Sequence, residues 1–179
     1  MNNSLISLAF IYCFLNIGCV DNGLQVDQKQ SNRDLIKVES KNIAILPYDS
    51  TFYWIFNDCK QTELTENDFQ IIENLLIKCL EGYNSVQENL YNDFIANHPQ
   101  YKINKRDFII DLNRYKRQYV AVLNHQGEKE VWINCFCDTQ NQNWRKQIIQ
   151  VLDGGNCYFN LKMNLTTRKY YNLMVNGVA

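Results

Sequence analysis

Past the first forty residues the apolar positions recur in two rhythms. Between Asn156 and Leu165, the residues Cys157, Phe159, Leu161, Met163 and Leu165 alternate with Tyr158, Asn160, Lys162 and Asn164, which is the period of a half-buried strand. Asp153-Gly154-Gly155 turns the chain into that stretch. The same period runs through Val131, Ile133, Cys135 and Cys137, set against Trp132, Asn134 and Phe136. Residues 119–124 precede it, and the intervening His125-Gln126-Gly127-Glu128 reads as the turn of a hairpin. Residues 146–152 and 169–175 complete the expected strands. Taking 131–137, 146–152 and 157–165 as a meander gives an antiparallel sheet with one dry face.

A period of three to four is confined to the first half. Thr65 places a capping hydroxyl ahead of Glu66 and Asp68, two carboxylates suited to a helix N-terminus. Phe69, Ile72, Leu76 and Cys79 then fall on one stripe, and Gly82 reads as the end. Residues 86–96 carry Leu90, Phe94 and Ile95 inward as a second helix, stopped by His98-Pro99. Upstream, 43–46 and 51–56 are short apolar and aromatic runs flanking Pro47-Tyr48-Asp49-Ser50, a strand or hairpin. Residues 102–116 hold Phe108-Ile109-Ile110 among charges, with no assignable period. The sum is an α+β layer: one or two N-terminal helices on a four- to five-stranded antiparallel sheet. Cystatin-like and NTF2-like folds share that outline, an analogy of architecture that carries no function.

The N-terminus follows neither rhythm. Residues 5–17 are a mostly apolar run, of h-region length but short of the ~20 residues that span a bilayer, and the run ends at Gly18-Cys19. A small residue followed by cysteine there resembles a bacterial lipobox, which implies cleavage before Cys19 and lipid attachment to it. Residues 1–18 are then a signal peptide. Residues 19–41, polar and aperiodic, are a flexible tether, and 42–179 form a single domain held at the membrane.

Composition narrows the function classes. With 46% hydrophobic residues among 179, the chain can close one ordinary core. A net charge of -1 supplies no electrostatic footprint for nucleic acid, so DNA and RNA are excluded as expected partners. Two prolines and seven glycines argue against a repeat or disordered protein.

Candidate chemistry is sparse. Beyond Cys13 and Cys19, five cysteines remain at 59, 79, 135, 137 and 157. With a middle strand at 146–152, Cys135 and Cys157 would lie about 10 Å apart, too far to bridge. A helix-to-sheet disulfide from Cys79 to Cys135 or Cys137 stays open, beside the alternative of buried core thiols. Cys135-Phe136-Cys137 lacks further metal ligands, and His125 stands roughly 20 Å along the strand from Cys135. No catalytic residue, metal or cofactor is assigned. Trp132, Phe136 and Tyr158 alternate with the core residues and therefore share the opposite face, a candidate surface for a protein, glycan or small-molecule partner. The alternative is that residues 48–56 cover that face. Asp49-Ser50-Thr51 resembles an O-glycosylation acceptor triplet of Bacteroidetes envelope proteins, against a plain turn capped by Asp49. Cystatin-type inhibitors use Gln-x-Val-x-Gly, and here Gln118-Tyr119-Val120-Ala121 leads to Val122, which disfavours inhibition.

The stretches 132–137 and 153–166, with the terminal Val-Asn-Gly-Val-Ala, resemble a family of small exported lipoproteins of Bacteroidetes over about the last third of the chain. That resemblance implies a cell-envelope location, at the outer membrane or the periplasmic face, and no activity. The expected function is a non-enzymatic, lipid-anchored binding domain. An enzyme of unrecognised type with a pocket on the sheet, or a purely structural envelope component, is the alternative.

Overall fold

The computed structural model describes residues 41–138 and 143–177. The expected signal peptide, the tether to residue 40 and Cys19 lie outside them. The strands are β1 (Ile43–Leu46), β2 (Lys60–Gln61), β3 (Lys116–Leu123), β4 (Lys129–Phe136), β5 (Tyr158–Asn164) and β6 (Lys169–Val175), with one long helix, α1 (Glu66–Asn97). They form a six-stranded sheet in the order β1-β3-β4-β5-β6, with β2 also beside β3. β1 runs parallel to β3, from Ile43 opposite Arg117 to Leu46 opposite Val120, while the remaining pairs are antiparallel. The sheet is therefore mixed, and the helix follows two strands. This replaces the expected one or two N-terminal helices on a four- to five-stranded antiparallel sheet, and with it the cystatin-like and NTF2-like outline.

α1 starts where Thr65 accepts from the Asp68 backbone N–H and the Asp68 side chain accepts in return from the Thr65 N–H. It then runs 32 residues, about 48 Å at the usual rise, without stopping at Gly82. A glycine inside a helix costs only about 1 kcal/mol, and nothing within 4 Å of Gly82 forces a break. Two contacts hold the second half. The Asn84 amide both donates to the Ile110 carbonyl and accepts from its N–H, at 2.8 and 2.9 Å, and Tyr91 meets Phe108 edge to face at 5.4 Å. The helix ends at Asn97, with His98 as cap before Pro99.

Only the first half of α1 lies on the sheet. Ile72, Leu76, Cys79 and Leu80 pack with Tyr119, Val131, Ile133, Cys135, Phe159, Leu161 and Met163 in the principal core. Two ion pairs fasten the layers, Glu73 to Arg117 and Asp68 to Lys129, each at 2.7 Å. Arg117 is deeply buried. Burial disfavours its charge, but Tyr119 and Glu73 more than offset that and hold the guanidinium protonated.

The opposite face is also dry. Residues 48–56 bring Ile55 and Phe56 onto Val120, Val122 and Trp132, and Trp144 packs on Phe136 and Ala44. Residues 146–152, expected as the middle strand of a meander, form no strand at all. β5 occupies the place beside β4, and residues 143–152 cross the sheet instead of joining it.

Candidate functional site

Trp132, Phe136 and Tyr158 do share the face opposite the helix, but they do not make an open aromatic patch. Trp132 is 3% exposed and Phe136 is 0%. They fall in separate clusters: Trp132 beneath Phe56 and Ile55, Phe136 against Trp144 at 5.8 Å. Tyr158 is half-buried and donates its hydroxyl to the Asp138 carbonyl at 3.0 Å. The face is covered because two irregular segments carry their own apolar residues: residues 48–56, which form a 3-10 turn in place of the expected strand at 51–56 and give the cover named as the alternative, and residues 143–152. Asp49 accepts from the Thr51 N–H at 2.8 Å and caps a 3-10 turn at Ser50–Phe52, so the Asp49-Ser50-Thr51 triplet is a capped turn.

Buried amides hold the second covering segment. Gln118, fully buried on β3, donates to the carbonyls of Trp144 and Gln147 and accepts from the Ile149 N–H and from Asn134 Nδ2. Asn134, beside it on β4, also donates to the Ile149 carbonyl at 2.8 Å. These side chains thus satisfy backbone groups of residues 144–149 that a strand ladder would otherwise pair. Two cations lie over the Trp144 ring, Arg145 at 4.3 Å and Lys116 at 5.3 Å from its centre. Arg145 in turn donates to the carbonyls of Lys41 and Ile43, fixing the start of β1.

Where the two coverings fail to meet, a groove of about 500 Å³ remains. Its walls include Trp54, Leu152 and Met174, and its floor includes Trp132, Asn134 and Asn160. None of its twelve lining residues carries a charge. Trp54 stands at right angles to Trp132, ring centres 5.5 Å apart, and is 45% exposed. Leu152 and Met174 at the rim are 97% and 63% exposed, an uncommon outlay of apolar surface. Of the residues singled out from sequence, Trp132 and Tyr158 line this groove and Phe136 does not. Asn134 and Asn160 were not singled out, although they share the parity of Trp132. A second groove of about 480 Å³, between residues 46–52 and 146–150, holds Asp49 and Lys146 at its edges.

Of the two readings left open for the cysteines, the helix-to-sheet bridge is not formed. Cys137 bonds Cys157, with Cα atoms 5.0 Å apart and the Cys137 N–H donating to the Cys157 carbonyl. The two sit one step beyond the Phe136–Tyr158 pair, because β4 and β5 are direct neighbours. Cys79 and Cys135 are free and buried in the principal core. Burial pushes the Cys135 thiol up to about 12, against the pull of Arg117. A thiol so protonated is a poor nucleophile and ligand. Among the described residues no cluster of three or more His, Cys, Asp or Glu is arranged to hold a metal ion.

Two carboxylates do converge. Glu128 and Glu130 both accept from the Asn124 and Asn164 amides, and Glu130 also accepts from the Tyr171 hydroxyl at 2.6 Å. Burial, then that bond, pushes the Tyr171 phenol well up. The carboxylates are thus already engaged by donors, and neither groove is lined by them. His98 stacks on Phe94 at 4.7 Å at the exposed end of α1, and His125 is exposed in the β3–β4 turn. No helix among the described residues is long and apolar enough to cross a membrane. Neither family models, nor curated proteins, nor solved structures give a match to this chain.

Proposed function

We propose that this is a non-catalytic binding domain of a bacterial cell envelope, anchored through a lipid on Cys19, which takes an uncharged ligand in the groove over β4 and β5. The carrying observation is the lining. In a chain with 21% charged residues, twelve uncharged positions surround a cleft whose volume lies in the ~300–1,000 Å³ range of small-ligand sites. Trp54, Leu152 and Met174 at its mouth leave apolar area open to solvent. The Cys137–Cys157 disulfide supports export to an oxidising compartment, as does the lipobox-like Gly18-Cys19.

Nile red, an uncharged dye that brightens on leaving water, tests the groove directly. Saturable binding to the full chain, weakened by Trp54→Ala, is expected; dye binding indifferent to that change would remove the groove from the proposal. Membrane fractionation of wild type and Cys19→Ala tests the anchor, which fails if both partition alike.

A further inference from the structure

Resting on the groove reading above, we infer that its ligand is a neutral saccharide, one ring packing on Trp54 and its hydroxyls bridging Asn134 and Asn160. The hydrogen-bond partners themselves fix the orientation of both amides. Asn134 donates to two acceptors, Gln118 Oε1 at 3.0 Å and the Ile149 carbonyl at 2.8 Å, so its nitrogen points there. Its Oδ1 has no partner among the described residues, although the residue is only 8% exposed and lines the groove. Asn160 accepts at Oδ1 from the indole Trp132 Nε1 at 3.2 Å, a group that can only donate. Its Nδ2 is left without a partner among the described residues.

Asn134 and Asn160 are direct cross-strand partners, which puts their side chains about 5 Å apart on one face. The floor therefore offers one acceptor and one donor side by side. A hydroxyl both donates and accepts, so adjacent sugar hydroxyls satisfy the two at once. An apolar ligand such as a dye would leave Asn134 Oδ1 desolvated and unpaired, so it binds there more weakly than one carrying hydroxyls. A phosphate or carboxylate meets no cation in the lining. Trp54 completes the match, because the negative ring face attracts the weakly positive C–H side of a pyranose.

An extended peptide is the other class to weigh. Such a ligand gains affinity by adding a strand to a free edge, and β6, the edge nearest the groove, is ill suited to that. Its register with β5 shifts between Asn160 and Lys162, and Asn172 takes a left-handed conformation at φ 52°, so the edge is bulged.

Tryptophan fluorescence titration of the full chain with cellohexaose, chitohexaose, maltohexaose and a mannose hexamer tests the inference, with an uncharged acetylated Ala-Asn peptide and Nile red as separate arms. Expected is saturable binding of at least one saccharide, weakened at least tenfold by Trp54→Ala and by Asn160→Asp, which exchanges the free donor for an acceptor. Tyr53→Ala, exposed but outside the groove, should leave it unchanged. If no saccharide binds while the peptide or dye binds in a Trp54-dependent way, the saccharide inference is overturned and the groove survives. If nothing binds in a Trp54-dependent way, both fall.

Discussion

Asn134 Nδ2 donates to Gln118 Oε1 at 3.0 Å in the middle of the sheet, and that bond aligns both amides so that together they carry the covering segment. Gln118→Leu keeps the apolar volume but strands the Trp144 and Gln147 carbonyls and the Ile149 N–H. A loss of about 2–4 kcal/mol in urea unfolding is expected, with faster amide exchange at Ile149. Unchanged exchange there would mean that the segment is held by apolar packing alone.

The disulfide closes a loop of 20 residues between two strand ends. Cys137→Ser and Cys157→Ser should each lower stability by about 3 kcal/mol, and the double variant should match either single one. Peptide mapping without reductant should recover a Cys137–Cys157 link and leave Cys79 and Cys135 unlinked. Recovery of Cys137 or Cys157 unlinked, or linked to another cysteine, would contradict the side-by-side placement of β4 and β5.

The two halves of α1 differ in anchorage. Leu76 is 0% exposed, so Leu76→Ala should cost about 2–5 kcal/mol, whereas Leu90→Ala, at an exposed position, should change stability by less than about 0.5 kcal/mol. Equal effects would place the second half in a packed environment.

Asp68 supplies the pH dependence. Burial works against its charge, but hydrogen bonds from Lys129 and Thr65 outweigh it and hold the carboxyl below the ordinary 3.8. A carboxyl depressed by folding stabilises at pH values above its unfolded pKa, and that contribution disappears as pH falls through the folded one. Stability should therefore drop between about pH 5 and pH 2, and Asp68→Asn should flatten that drop while lowering stability at neutral pH.

Gly154 adopts φ 83°, and an added Cβ would come within 2.7 Å of the Tyr158 ring. Gly154→Ala should cost about 1–3 kcal/mol from the left-handed backbone alone and, by displacing Tyr158, weaken whatever occupies the groove. Thermal unfolding and the Nile red titration read the two effects separately.

What the sequence made legible was local. The alternation at 131–136 and 158–164 specified which side chains meet the helix, since parity within a strand needs no knowledge of its neighbours. Thr65 with Asp68 marked the helix start for the same reason. Strand order, by contrast, is decided at a distance. A run such as 146–152 has a strand-like composition, yet β5 outcompetes it for β4, and Gln118 and Asn134 capture its backbone instead. That one misplacement hid the Cys137–Cys157 pair and the cover that Trp144 lays over Phe136. Gly82 misled differently: its intrinsic penalty is small beside what Asn84 and Ile110 return. The groove could not be read at all, because Trp54, Leu152 and Met174 come from three separate segments that meet only after folding.

The parallel pairing of β1 with β3 sets the order in which the molecule can assemble. Ile43–Leu46 is the first strand made, yet its ladder partner lies roughly 70 residues further on. Loop closure over such a distance must precede the reward, so folding should be slow relative to helical domains of this size. In a chain made from its N-terminus that short apolar strand waits, and until Lys116–Leu123 is made its edge is open to pairing elsewhere.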